Sequence, residues 1–286
     1  MKCVSYNIQY GKGIDGKIDL NRIAEEIGDA DIIALQEVER FWPRSENVDQ
    51  VAYFQQRFNQ HYAVYGAGVD LHVENSSPKE SKRRQFGNMI LSRYPIAFSR
   101  NHLLPKHGSI NPLSLQRSAL ETTIHINHTP IRFYSIHLSH ISPTIRLNEI
   151  EYIMQIHKNV LHEGHPVDGN IENLDWQSGV NHQTVAQHAI MLGDFNCQPD
   201  SQEYFRMVGE ISDYGGHIVS QDGFVDAWTH CGNDSNSGFT SDVGGKPARL
   251  DYIFVNTPIR EKIQSVGINP KARGSDHFPI WMELVV

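Results

Sequence analysis

The chain has 286 residues, 39% hydrophobic and 20% charged, with 22 glycines and 13 prolines. That composition excludes disordered, collagen-like and coiled-coil proteins, and at about 150 residues per domain the length allows two domains or one large sandwich or barrel. Thirty-three acidic against 25 basic residues leave a formal net charge of -8, which argues against a general electrostatic grip on polyanions; the short tract Lys82-Arg83-Arg84 could at most hold one phosphate. No apolar run approaches the roughly 18 residues needed to cross a bilayer, so no membrane span is expected. Cys3, Cys197 and Cys231 are odd in number and widely spaced, giving neither a disulfide framework nor a zinc pattern. The opening Met1-Lys2-Cys3-Val4-Ser5-Tyr6-Asn7 reads as a strand rather than a secretory leader, and the expectation is a cytoplasmic protein.

The first predicted strand is Lys2 to Ile8. Asp19 then N-caps a helix whose Leu20, Ile23, Ala24 and Ile27 fall on one face. A strand from Asp31 to Leu35 ends on Gln36-Glu37, and a helix follows from Val48 to Asn59. Strands are expected at Tyr62 to Tyr65, Asn88 to Ser92 and Ile96 to Arg100, with a polar loop between Asp70 and Gln85. Arg117 to His125 and Ile131 to His137 are the next strands. Ser142-Pro143 opens the longest helix, Ser as N-cap and Pro in the first turn, with an apolar stripe at Leu147, Ile150, Met154 and Leu161. Gly164 to Gln183 is polar and reads as a loop insertion carrying Asp168, Glu172 and Asp175, with His162, His165 and His182 nearby; a solvated insertion is favoured over a lid or an extra metal site. Ala189 to Leu192 is a buried strand ending on Gly193-Asp194-Phe195-Asn196, and the last strands are Arg249 to Val255 and Ile280 to Val286. No repeat and no linker divides the chain. Many strands with scattered helices predict a single domain of two sheets packed face to face, helices outside.

Acid and amide groups sit at or just beyond strand ends: Asn7, Glu37, Asp194 and Asn196, with Asp251 inside Arg249-Leu250-Asp251-Tyr252-Ile253. Burying carboxylates costs several kcal/mol per ion unless a cation or hydrogen bonds compensate, and a shared metal at one rim is the economical reason for the pattern. His137 ends its strand, and His277 lies in Ser275-Asp276-His277 before the last one. A carboxylate beside a histidine can orient the imidazole and raise its basicity for acid–base work.

Ser5-Tyr6-Asn7-Ile8, Leu35-Gln36-Glu37-Val38, Gly87-Asn88-Met89-Ile90, His137-Leu138, Gly193-Asp194-Phe195-Asn196, Arg249-Leu250-Asp251-Tyr252-Ile253 and Ser275-Asp276-His277 resemble, in order, the motifs of the endonuclease/exonuclease/phosphatase superfamily. The resemblance implies an α/β (α+β) fold, the DNase I-like four-layered sandwich with two central mixed sheets, and metal-dependent phosphoester hydrolysis. It implies Glu37 as the principal metal carboxylate, Asn7 beside it and Asp276 as a nearby or second ligand, an all-oxygen set suited to Mg²⁺ or Mn²⁺. Asp194 would position or deprotonate the attacking water and Asn196 would hydrogen-bond a phosphoryl oxygen. His277, oriented by Asp251, would contact or protonate the phosphoryl group, with His137 as a second phosphate contact.

The expected substrate is a small or lipid-derived phosphodiester; the alternative, a nuclease, is allowed by the family but not favoured by the charge. A dinuclear metallophosphoesterase would need an early Asp-x-His and a Gly-Asn-His-Glu/Asp motif; the chain shows the first only as Asp70-Leu71-His72 and lacks the second. A binding protein that lost its chemistry would show substitutions at the metal or histidine positions, and none are seen. Asn88 is either pocket-facing or a structural turn amide, Arg117 either a phosphate ligand or a surface-strand arginine, and Cys197 reads as a buried structural thiol.

Overall fold

The computed structural model describes residues 1–74, 76–79, 81–168 and 185–286. In chain order the elements are β1 (Lys2–Asn7), α1 (Leu20–Ile27), β2 (Ile32–Arg40), α2 (Gln50–Arg57), β3 (Tyr62–His72), β4 (Arg83–Ser92), β5 (Ile96–Leu103), β6 (Ser118–Ile126), β7 (Thr129–His137) and α3 (Pro143–Glu163). They continue with β8 (His188–Asp194), α4 (Gln202–Val208), β9 (Phe224–Asp226), α5 (Ala227–His230), β10 (Ser241–Val243), β11 (Lys246–Ala248), β12 (Asp251–Asn256), β13 (Ile263–Ile268) and β14 (Ile280–Leu284). Two six-stranded sheets result, ordered β13-β14-β1-β2-β4-β3 and β5-β6-β7-β8-β12-β9, with β10 and β11 as a separate hairpin. Both sheets are mixed: β1 and β2 are parallel in the first, β7 and β8 in the second, and the remaining pairs are antiparallel.

Alternation along the strands builds three apolar layers. Cys3, Ile32, Ala34 and Ile90 of the first sheet meet Leu120, Phe133, Ile190 and Ile253 of the second in the central core. The opposite face of the first sheet, with Val4, Tyr6, Ile33 and Leu35, packs on Leu20, Ile23, Ala24 and Ile27 of α1 and on Val51 and Phe54 of α2. Tyr134, Ile136, Met191 and Phe254 of the second sheet pack on Ile150, Ile153 and Met154 of α3 and on Tyr204, Met207 and Val208 of α4. The result is the expected four-layered sandwich. The caps form as read: Asp19 accepts the Arg22 N–H and Ser142 accepts the Ile145 N–H.

Several expectations shift. The strands reach further than Tyr65 and Asn88, so part of the expected polar loop between Asp70 and Gln85 is strand. The buried face of α3 is Ile150, Ile153, Met154, Ile156 and Val160, while Leu161 is 60% exposed. A stripe extended from Leu147 to Leu161 drifts off the face that the sheet covers. Of the expected insertion, residues 169–183, with Glu172, Asp175 and His182, lie outside the described residues.

Candidate active site

Register brings the singled-out residues together. Asn7 ends β1 opposite Gln36 of the parallel β2, and His137 ends β7 opposite Asp194 of the parallel β8. Asp251 opens β12 directly opposite Asp194. All these ends lie at one rim, and the Asn7 Nδ2 joins the two sheets by donating to Asp194 Oδ2 at 2.9 Å. Just inside the rim the central core turns polar: Gln36 Nε2 donates to Ser135 Oγ at 2.9 Å, and Asn88 Nδ2 donates to the Ser118 and Ser135 carbonyls at 2.7 and 3.1 Å. Asn88 is therefore a buried cross-sheet amide and stands in β4 rather than in a turn.

Glu37 reaches the rim through a β-bulge. The β2–β4 register jumps between Leu35 and Val38, and Glu37 has φ 60°. Simple alternation would send its side chain to the helix side with Leu35; the left-handed backbone at the bulge turns it to the rim instead, where its Oε1 lies 3.9 Å from His137 Nε2. Gly193 prepares the neighbouring position, because a Cβ there would come within 1.9 Å of the Ile136 carbonyl on β7. Asn196 also has positive φ, 51°, which folds its own N–H back onto Asp194 Oδ1 at 2.8 Å while its Nδ2 donates to the Leu138 carbonyl at 3.0 Å.

The two histidines are held in opposite states. His277 Nδ1 lies 2.7 Å from Asp251 Oδ2 and its Nε2 lies 3.8 Å from Asp194 Oδ2. Burial opposes charge on this ring, but the Asp251 and Asp194 carboxylates outweigh it and raise the pKa to about 10, so the ring is cationic and both its nitrogens donate. His137 is buried, and desolvation first, then the Arg117 charge, hold its pKa well below the ordinary value. Arg117 Nη1 donates to His137 Nδ1 at 3.0 Å. An arginine can only donate, so the proton of the neutral His137 ring is on Nε2, 3.4 Å from Asp194 Oδ2. Burial raises Asp194 above the ordinary carboxylate range, opposed by His277 and reinforced by Asp251.

Arg117 is thus neither a surface arginine nor a group free to meet substrate. It is 5% exposed, and its Nη2 donates to His140 Nδ1 at 3.1 Å. His140, three residues beyond His137, escaped the sequence reading, as did Gln9, whose Nε2 donates to Asp276 Oδ2 at 2.6 Å. Both lie within or beside the motifs quoted above, but nothing in their spacing marks them. Cys197 is buried and unpaired, its thiol pushed up to about 12 by burial.

The donor chemistry fits a hard divalent ion at this rim. One ligand atom each from Asp194, Asp251 and His277 lie within 4.8 Å of one another; the charged His277 ring has no lone pair to give, so of these three the carboxylates are the groups that could meet a metal, and Asp251 Oδ1 is buried with no hydrogen-bond partner among the described residues. Glu37 and Asp276 add a second concentration of negative charge: burial raises Glu37 first, Asp276 raises it further, and Arg117, His277 and Arg44 oppose them. Carboxylates gathered against their own repulsion are what a bound cation would stabilise.

A two-sheet sandwich whose strand ends gather carboxylates, amides and an Asp–His pair at one rim is the arrangement of a phosphoester hydrolase. Residues 4–277 match the endonuclease/exonuclease/phosphatase family, and the chain belongs to it. It is a phosphoester hydrolase of that family. A structure described as an endonuclease/exonuclease/phosphatase from Beutenbergia cavernae is similar at TM-score 0.66 and 20% identity, over 99% of this chain and 70% of that one. The mannosyl-6-phosphatase Bt3783 of Bacteroides thetaiotaomicron aligns over 100% of both chains at TM-score 0.64 and 19% identity. Truncated Caenorhabditis elegans TDP2 aligns at TM-score 0.61 and 17% identity, over 100% of this chain and 97% of that one. At these identities the structures establish the shared fold. No protein of curated function matches the chain.

Proposed function

We propose that the protein acts as a single domain, in the cytoplasm, hydrolysing a small or lipid-derived phosphodiester with Mg²⁺ or Mn²⁺. The observation that supports this most strongly is geometric: the Nε2 atoms of His137 and His277 converge on one carboxylate, 3.4 and 3.8 Å from Asp194 Oδ2, while Asp251 holds His277 Nδ1 at 2.7 Å. Asp194, raised by burial, has the basicity to take a proton from an attacking water, while the Asn7 amide and the Asn196 N–H hold its two oxygens. His277, charged and fixed by Asp251, presents an Nε2–H to a phosphoryl oxygen or gives its proton to the leaving oxygen. His137 presents a neutral Nε2–H, a second donor to the phosphoryl group; Asn196 Nδ2, bonded to the Leu138 carbonyl at 3.0 Å and to Asp194 Oδ2 at 3.4 Å, would act as a third by exchanging its bond to Asp194 for one to the phosphoryl oxygen. Glu37, Asn7 and Asp276 would hold the metal, which supplies neutralisation of the charge that builds on the phosphoryl oxygens.

The nucleic-acid reading has one observation in its favour: Lys12, Lys17 and Arg44 line a cavity of about 590 Å³ next to Tyr10. Arg44, however, is paired with Glu39 at 2.5 Å, and the net charge of -8 gives no wider basic surface to continue it.

The test is a panel of small, lipid-derived and oligonucleotide phosphodiesters offered to chelator-stripped protein, with and without Mg²⁺ or Mn²⁺. Turnover should depend on added metal and favour the small or lipid-derived diesters. Glu37→Gln should raise the metal concentration for half-activity and lower the rate by about 100-fold or more, since even partners outside the coordination shell contribute about 10- to 100-fold. His277→Ala should lower the rate by about 10³-fold with metal affinity near that of the parent. Metal-independent turnover, or Glu37→Gln working at the parent rate at low Mg²⁺, would sink the reading; preference for oligonucleotides would replace the substrate class.

A further inference from the structure

Beside the reacting rim lies a second cavity, of about 630 Å³, that none of the assigned residues explains. Ser275 and Asp276 form its inner edge, and Ile14, Trp228, Phe239 and Phe278 are among its walls. Ile14 is 52% and Phe239 46% exposed, large apolar side chains left uncovered next to a polar site. Trp228 is held rigidly: its Nε1 donates to the Asp234 carbonyl at 3.0 Å, and Gly238 at φ +73° lies so close that a Cβ would come within 2.5 Å of the indole Cζ2. The polar edge of the indole is therefore committed elsewhere. No lysine or arginine lines the cavity among the described residues. The carboxylates at its edge are also engaged, Asp242 by the Gly245 N–H at 3.0 Å and Asp276 by the Gln9 amide at 2.6 Å.

We propose that this cavity is the substrate-selecting subsite, and that it receives an uncharged aromatic group esterified to the phosphorus. This rests on the phosphodiesterase reading above and deepens it. Continuity through Asp276 places the pocket one residue from His277, so a substituent on the reacting phosphorus can enter it while the phosphoryl group stays at the rim. Rigid rings and aliphatic walls favour a flat apolar group. A second phosphate would meet two carboxylates and no cation. A quaternary ammonium would meet the same negative charge, but Asp276 is assigned to the metal and Asp242 is exposed, where water and salt screen it.

Phosphonate analogues, in which a P–C bond replaces the ester to be cleaved, separate these cases as competitive inhibitors of the metal-loaded enzyme. Their remaining ester group is ethyl, 1-naphthyl, 2-(trimethylammonio)ethyl or 2-phosphoethyl. The naphthyl analogue should bind about 10-fold or more tighter than the ethyl one, the range that aromatic stacking supports, and the phosphoethyl analogue weakest. Phe239→Ala should reduce the naphthyl-to-ethyl ratio to a few-fold, and Phe239→Leu, which keeps an apolar wall without the ring, should reduce it less. Equal binding of naphthyl and ethyl, tightest binding of the ammonium analogue, or an unchanged ratio in Phe239→Ala overturns the pocket assignment while hydrolysis of phosphodiesters continues. Absence of any phosphodiester hydrolysis by the parent protein removes the underlying reading instead, and the assignment with it.

Discussion

Two buried arginines each donate to the Nδ1 of a histidine: Arg117 to His137 at 3.0 Å and Arg132 to His157 at 2.8 Å. His137 and Arg132 both belong to β7, on its two faces. Even-numbered residues from Arg132 to Ile136 face α3, and odd-numbered ones from Ile131 to His137 face the first sheet. In both pairs the arginine keeps the ring neutral and its proton on Nε2; burial and the guanidinium charge lower both pKa values. The pairs differ in what the second nitrogen meets. His157 Nε2 lies 3.3 Å from the Asp222 carbonyl, and Arg132 also donates to the Tyr134 hydroxyl at 2.6 Å. His137 Nε2 instead faces two carboxylates, Asp194 at 3.4 Å and Glu37 at 3.9 Å, at the edge of the sandwich. One device therefore serves two purposes: closed on a carbonyl it fastens a helix to a sheet, and left open among acids it makes an oriented donor.

The largest effect should come from breaking the closed pair. Arg132 is 1% exposed, and its Nη1 lies 3.9 Å from Glu121 Oε1. Arg132→Leu strips a buried carboxylate of a nearby cation and leaves His157 Nδ1 without its donor, which should cost about 3–5 kcal/mol in urea unfolding. Activity per folded molecule should stay within a few-fold of the parent, and a loss of 100-fold or so in the folded fraction would show that the two faces of β7 are coupled.

Substituting both histidines by asparagine sharpens the comparison, because the amide oxygen can still accept near the Nδ1 position while the Nε2 donor is gone. His137→Asn should lower kcat by about 10²–10³-fold, the usual cost of one donor to a developing oxyanion, and shift unfolding by only about 1 kcal/mol. His157→Asn should do the reverse, leaving kcat near the parent value. Equal kinetic effects of the two substitutions would refute the assignment of His137 as an oriented donor.

The smallest effect is a pH dependence of stability. Burial first, then the Arg132 charge, hold His157 down from 6.5 to about 4. The unfolded chain binds its proton at the ordinary value and the folded protein does not, so this contribution is present above pH 6.5 and is lost as the pH falls toward 4. It is on the order of 2–3 kcal/mol. Urea midpoints measured between those pH values should fall less steeply in His157→Asn than in the parent, and parallel slopes would show that another group governs the acid limb.

The legible part of the site is the part with local causes. Asn7, Asp194 and Asn196 follow apolar strands directly, so their places at strand ends could be read from pattern, and the ordered motifs from Ser5 to His277 pointed to the two-sheet fold. Asp19 and Ser142 announced their helices through short-range capping. Arg117 could not be decided from its neighbours, because its role depends on His137 and His140 lying across β6 and β7. The hairpin of β10 and β11 and the short helix α5, with the pocket they help to shape, carried no periodicity long enough to read, and neither did the short helix α4.

By itself, the order of residue types determined which strands and caps form, which face of each strand is apolar, and which acids and histidines are available at strand ends. Only the tertiary structure decided that Asn7 would bond Asp194, 187 residues away, that a bulge would turn Glu37 to the rim, and that two similar histidines would be charged and neutral. Hydrogen bonding within a turn and alternation along a strand are local and leave a trace in spacing. Protonation, burial and the meeting of strand ends depend on the register of two sheets and on the low dielectric between them, which exist only after distant segments have packed.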